Sequence, residues 1–196
     1  MTLVKPLVTA RLTLRKFMVN DYDDLMAYQS RPDVARYLYR PPWDQLTGRA
    51  SLERRMTNPF PVSGDGMAFA VVLTETGGVI GEVSLTHTSE AARQAEVGWV
   101  FHPDSAGKGY ATEAAQAVLK AAFADLDVHR VFARLDEDNL ASARLCERLG
   151  MRREATLVES DLRVSEFEPN GVWGTELIYA LLQKEWEGLR NQGTKR

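Results

Sequence analysis

Two periodicities alternate along the chain. Residues 9–16, Thr-Ala-Arg-Leu-Thr-Leu-Arg-Lys, set Leu12 and Leu14 against polar neighbours, the period-two pattern of a half-buried strand. Asn20 or Asp21 can cap a helix carrying Leu25, Met26 and Tyr28, and Pro32 and Asp33 open a second helical turn with Val34, Tyr37 and Leu38. Pro41-Pro42-Trp43 breaks that pattern. A further helix is expected over 44–58, with Leu46, Ala50, Leu52 and Met56 as its apolar side and a stop before Asn58-Pro59. Residues 67–74 and 79–86 read as strands joined by the hairpin turn Glu75-Thr76-Gly77-Gly78, and 87–94 as a polar loop. Val97-Gly98-Trp99-Val100-Phe101 is a buried strand. Ala111, Ala114, Ala115, Val118, Leu119, Ala122, Phe123 and Leu126 then fall on one face of a helix.

A strand over 129–135 follows, and a crossover helix of this length makes it parallel to the strand before the helix. Asn139 caps a helix over 140–149 that Gly150 ends in the left-handed conformation. Strand returns from Met151 through 155–164 and again over 172–182. The sequence after Trp186 is polar and is expected to fray. The order predicts an α/β (α+β) fold: a mixed, mostly antiparallel central sheet flanked by helices. One domain is expected over 8–186, followed by a polar C-terminal tail over 187–196.

Composition narrows the class. The 196 residues are 44% apolar and 26% charged, as in ordinary globular proteins. A net charge of −3 argues against a broad nucleic-acid-binding surface. A single cysteine excludes an internal disulfide framework and suits a reducing compartment. No apolar run approaches the roughly 18 residues of a membrane span, and the first residues carry no signal-peptide pattern. A cytoplasmic location without membrane or nucleic-acid partners is expected. His87, His102 and His129 lack metal-ligand spacing, so no metal is expected.

The candidate chemistry lies where the 97–101 strand hands over to its helix, through His102-Pro103-Asp104-Ser105-Ala106-Gly107-Lys108-Gly109-Tyr110-Ala111-Thr112-Glu113. A helix start leaves N–H groups unpaired and carries partial positive charge. Gly107 and Gly109 let an anion approach the backbone, and Lys108 adds charge; this is a phosphate site, or else an ordinary tight turn.

Ala106-Gly107-Lys108-Gly109-Tyr110-Ala111 resembles the acetyl-CoA signature Gln/Arg-x-x-Gly-x-Gly/Ala of the GCN5-related N-acetyltransferases (GNAT), with Ala106 in place of Gln or Arg. Gly-Tyr-Ala-Thr-Glu-Ala over 109–114 is similar to the branch that acetylates the N-terminal alanine of ribosomal proteins, and Thr-x-Arg-Leu-x-Leu-Arg over 9–15 resembles the opening of that branch. Asn139 through Met151 resembles the family's Asn-x-x-Ser-x-x-x-x-x-x-x-Gly-Phe block, with Met for Phe. By themselves, Asn139 and Ser142 also read as plain helix capping.

The resemblance implies the acyl-CoA N-acyltransferase fold over about 8–186 and transfer of an acetyl group from acetyl-CoA to a primary amine by direct attack. It implies cofactor contacts from Val100, Phe101, Ala106, Gly107, Lys108, Gly109, Tyr110, Ala111, Thr112, Asn139 and Ser142, with a strand amide near Val100 or Phe101 facing the carbonyl oxygen. Glu96 is the candidate base acting through water, with Glu82 and His87 as rivals. Cys146 stands where many family members carry a general-acid Tyr, though a lone helical Cys is also a small buried hydrophobe. Tyr37, Tyr39, Trp43 and Glu82 are candidate acceptor contacts, with core or rim packing as the other reading of the aromatics. The expected acceptor is a protein or peptide N-terminus. A small amine such as an antibiotic or polyamine, and a CoA-binding module without catalysis, are the alternatives. A homodimer stays open.

Overall fold

The computed structural model describes residues 5–57, 64, 66–163 and 170–193. Eight strands form one sheet in the order β1-β2-β3-β4-β5-β6-β8-β7. They are β1 (Leu7–Val8), β2 (Leu12–Arg15), β3 (Gly66–Leu73), β4 (Val79–Ser89), β5 (Gln94–Phe101), β6 (Arg130–Asp136), β7 (Arg152–Arg163) and β8 (Val172–Leu182). Every neighbouring pair is antiparallel except β5 and β6, the pair joined by a crossover helix. The helices are α1 (Tyr22–Gln29), α2 (Pro32–Ala35), α3 (Gln45–Thr57), α4 (Tyr110–Ala124), α5 (Leu140–Arg148) and α6 (Gln183–Gly193). The mixed, mostly antiparallel architecture read from the sequence is the one observed.

Strand alternation sorts the side chains into two layers. Met67, Phe69 and Val71 of β3, Val83 and Leu85 of β4, Ala95 and Val97 of β5 and Val131 and Ala133 of β6 share one core with Ala115, Val118, Leu119 and Ala122 of α4 and Leu145 and Cys146 of α5. Ala70 and Val72 of β3 point the other way and pack with Leu25 and Tyr28 of α1 and Leu52 of α3.

Four expectations change. Leu46 and Ala50 of α3 are exposed; the helix buries Leu52, as expected, but together with Gly48 and Ser51. Small residues win that face because α1 lies so close that a Cβ on Gly48 would strike the Met26 sulfur. Asn58 and Pro59, the expected stop, lie outside the described residues. The polar 87–94 stretch is half strand: β4 runs to Ser89 and β5 starts at Gln94, leaving a turn closed by Arg93 N–H to the Glu90 carbonyl. Asp21 stands at the helix start, but its carboxylate is taken by Arg15 at 2.7 and 2.8 Å and by the Met18 N–H rather than by α1. Finally, the chain beyond Trp186 is helical to Gly193, because Trp186 stacks on Phe123 of α4 with ring centroids 5.4 Å apart.

Candidate active site

The parallel contact between β5 and β6 lasts only three pairs, Gln94↔Arg130, Ala95↔Val131 and Glu96↔Phe132. Beyond them β5 stays with β4 as far as Phe101, while β6 stays with β8 as far as Asp136. The two strands therefore splay apart, and among the described residues the backbone of β5 facing the splay has no strand partner. Which groups face it follows from the ladder. His102 N–H donates to the Ile80 carbonyl at 2.9 Å, continuing the β4–β5 register, so residues 98, 100 and 102 carry their N–H groups toward β4. Trp99 and Phe101 carry theirs into the splay. Of the two amides named from the sequence, Phe101 is thus aimed at the gap, whereas Val100 is spent on β4.

Phe101 leads into the Gly turn. A short 3-10 turn over Pro103–Ser105 is fixed by the Asp104 N–H donating to His102 Nδ1 at 3.2 Å. Gly107 and Gly109 then adopt φ of 73° and 79°, the left-handed region where an L side chain is strained. Gly109 is the N-cap of α4 and offers no side-chain cap. The first helical bond runs from Glu113 N–H to the Gly109 carbonyl, so the N–H groups of Tyr110, Ala111 and Thr112 are left for an anion.

A clasp from the N-terminal strand holds this turn. Thr9 Oγ1 donates to Glu113 Oε1 at 2.7 Å and the Arg11 N–H to the same oxygen at 2.9 Å. Arg11 Nε donates to Glu113 Oε2 at 2.7 Å, Arg11 Nη1 to the Lys108 carbonyl at 2.9 Å, and the guanidinium lies over the Tyr110 ring. Burial works to raise the Glu113 pKa, but the Thr9 and Arg11 hydrogen bonds outweigh it and hold the carboxyl below its ordinary range. Arg11 thus brings a cation to the cradle, which lacks one at Ala106.

A cavity of about 910 Å³ joins cradle and splay. Tyr37, Val100, Phe101, Ala106, Gly107, Gly109, Tyr110, Ala111, Thr112, Asn139 and Ser142 line it. Asn139 Oδ1 accepts the Ser142 N–H at 3.1 Å, which caps α5, while Ser142 Oγ accepts from Trp99 Nε1 at 3.0 Å. The Lys108 side chain, Tyr39, Trp43, Glu82, Glu96 and Cys146 are not on its wall.

Their positions explain why. Glu82 is buried on β4 and receives Gln29 Nε2 at 3.0 Å and Arg55 at 2.7 and 2.8 Å. The guanidinium groups of Arg40 and Arg55 both lie over the Trp43 ring, 4.6 and 4.8 Å from its centroid. Both serve the α1–α3 layer. Removal of Glu82 would strand Arg55 and Arg40 in that layer, so Glu82→Ala is expected to cost about 3 kcal/mol, the low end for one half of a buried pair. Thermal denaturation checks this, with an expected fall in Tm of about 6–12 °C. Tyr39, at φ 50°, donates to Asp136 Oδ2 at 2.8 Å and packs on Gly174, tying the segment after α2 to the end of β6.

Cys146 is fully buried in the main core, and burial pushes its thiol up to about 12. A proton would have to travel uphill from there to a leaving thiolate of ordinary acidity, about 8.5. Cys146→Ala is expected to leave turnover within about twofold and to lower stability by about 1 kcal/mol, the scale of one buried heavy atom. Steady-state kinetics alongside urea denaturation test both halves.

Glu96 follows Ala95 and precedes Val97, both buried against α4, so it faces the opposite side of the sheet at the last pair before the splay. It makes no hydrogen bond or ion pair among the described residues. Burial raises its pKa; Arg134 pulls it down and Glu176 pushes it up. Arg134 is itself paired with Glu176 at 2.6 Å.

Thr9, Arg11, Trp99 and Glu113 were not among the site residues read from the sequence. The Thr-x-Arg-Leu-x-Leu-Arg stretch was visible, but nothing local ties it to a glutamate about a hundred positions away.

The fold and site define an acetyltransferase. A family model described as "Acetyltransferase (GNAT) domain" matches residues 11–152, and the chain belongs to that family. Accordingly it is an acetyl-CoA-dependent N-acetyltransferase. Among similar proteins, the uncharacterized N-acetyltransferase YnaD of Bacillus subtilis is 30% identical over 92% of this chain and 98% of its own. The crystal structure of a GNAT-family acetyltransferase from Bacillus anthracis superposes with a TM-score of 0.79 at 30% identity, over 92% of this chain and all of that one. A spermidine N-acetyltransferase from Vibrio cholerae, solved with CoA and spermine, shares the fold with a TM-score of 0.75 at 21% identity, covering 91% and 99%. Among the described residues, no helix is long and apolar enough to cross a membrane.

Proposed function

We propose that the chain acetylates the α-amino group of a protein or peptide. The cofactor's diphosphate fits the glycine cradle: Gly109, the helix N-cap, leaves no Cβ in the approach, and the free N–H groups of Tyr110, Ala111 and Thr112 converge with the helix dipole. Asn139 is the candidate for holding the pantetheine arm; its Oδ1 is used by the cap, which leaves the NH2 for a carbonyl. Acetyl-CoA supplies an activated thioester.

Everything else is supplied by the chain. The N–H of Trp99 faces the carbonyl oxygen and stabilises the charge it gains, and the N–H of Phe101, two residues further along the strand, is left for the pantetheine arm. The amine arrives on the other face of the splay, where Glu96 takes its proton through a water. As the N–C bond forms the C–S bond breaks, the sulfur leaves as thiolate, and solvent protonates it. The observation that carries this reading is the short β5–β6 pairing, which ends at Glu96 and leaves the β5 edge from there to the anion cradle without a β6 partner.

The acceptor follows from the strength of the base. A carboxylate is a weak base even when burial raises its pKa, so it suits an amine that is already part neutral. An α-amine titrates near 8 and a lysine-type amine about 10.4. The resemblance of residues 109–114 to the ribosomal-protein branch supports the same class.

A thiol-release assay with acetyl-CoA and an amine panel tests this. Turnover is expected with peptides bearing a free N-terminus and is lost when that terminus is blocked. Preference for spermidine would move the acceptor to polyamines. CoA binding with no amine turned over would reduce the chain to a binding module.

A further inference from the structure

We propose that Trp99 sets the length of the acyl chain this protein accepts, an inference that rests on the transfer reading above. Trp99 lies between the last β5–β6 pair at Glu96 and the Gly turn, on the cavity wall. Its N–H aims into the splay. Its indole leaves β5 on the helical side and donates from Nε1 to Ser142 Oγ at 3.0 Å. Ser142 is itself anchored, because its N–H is bound by Asn139 in the first turn of α5. The ring therefore spans the gap between β5 and α5, packed against the main core and beside Leu145.

One residue thus presents two groups to the same space. A thioester carbonyl held by the Trp99 N–H directs its alkyl end toward the indole of that residue. A two-carbon acyl group bound in this way would end short of the ring. Each further methylene must push the indole back and break its bond to Ser142. A misfit of one methylene in a tight pocket is worth about 10–200-fold in discrimination. Removing the ring joins its volume to the cavity and lifts that restriction, and removing only the Ser142 hydroxyl frees the ring to swing.

Calorimetric titration of CoA, acetyl-CoA and butyryl-CoA reads this without any acceptor. The wild-type protein is expected to bind butyryl-CoA at least about tenfold more weakly than acetyl-CoA. Trp99→Ala should bring the two within about twofold, and Ser142→Ala should narrow the gap by about threefold, each read against the same variant's own affinity for CoA. Trp99→Phe should fall between Trp99→Ala and the wild type, and it carries the test if the alanine variant does not fold. Equal binding of both thioesters by the wild type overturns the proposal. So does an unchanged gap in Trp99→Ala, or in both Trp99→Phe and Ser142→Ala. Discrimination of the expected kind, without acetylation of any amine, would sink the proposed reaction and leave this role of Trp99 standing.

Discussion

Gly109→Trp is expected to abolish detectable CoA binding, an affinity loss of at least about 100-fold, or roughly 2.7 kcal/mol. Two effects add. The first is conformational: Gly109 sits at φ 79°, where an L residue costs about 1–2 kcal/mol. The second is steric. A Cβ at this position already reaches within 3.5 Å of Arg11 Nη2, so the indole has to grow past the clasp into the cavity. It would cover the N–H groups of Tyr110, Ala111 and Thr112, on which the anion depends. Gly107→Ala is the control. It carries similar strain at φ 73°, but nothing lies within 4 Å of the added carbon. Gly107→Ala should therefore keep most of the affinity. Comparable loss in both variants would mean that backbone strain, not access to the amides, governs binding.

How far the sequence revealed this site depends on how local each feature is. The handover from strand to helix was legible because the apolar run over 97–101, the two glycines and the period of α4 all lie within about thirty residues. Asn139 and Gly150 were legible for the same reason: each governs a helix end within its own neighbourhood. The splay was not. It arises because β5 chooses β4 while β6 chooses β8, and no run of residues announces a change of partner. The fate of Glu82 was equally hidden. On a strand of alternating polarity it reads as a carboxylate facing a site, and only the fold brings Arg55 to within 2.7 Å of it. Leu46 and Ala50 misled because apolar spacing ignores distance: close approach of α1 put Gly48 and Ser51, rather than Leu46 and Ala50, beside Leu52 on the buried face. The clasp on Glu113 belongs with these long-range features. Its partners enter from the opposite end of the chain.

Glu96→Gln separates the base from the rest of the machinery. Glutamine keeps the shape and cannot take a proton, so turnover at neutral pH should fall by about 100-fold or more, the usual contribution of a general base. Affinity for CoA should not change, since Glu96 lies off the cavity wall. The pH dependence carries the sharper test. Burial raises the Glu96 pKa, with Glu176 adding to the effect and Arg134 opposing it. The wild-type rate should thus fall, as pH drops, at a higher pH than an ordinary glutamate would dictate, and this limb should vanish in the variant, leaving only the titration of the amine. Stability moves the opposite way. A carboxyl whose folded pKa lies above its unfolded value binds its proton more tightly when folded. Its stabilising contribution is complete below the unfolded pKa and is lost as pH rises through the folded one. The ionised form needed for catalysis is the form the fold disfavours. At neutral pH the Tm of Glu96→Gln should equal or exceed that of the wild type, and any advantage should shrink as the pH is lowered through the raised pKa. An unchanged rate with an unchanged acid limb would remove Glu96 from the chemistry. A lower Tm at neutral pH would show that the carboxylate is held by contacts the buried, unpaired arrangement does not contain.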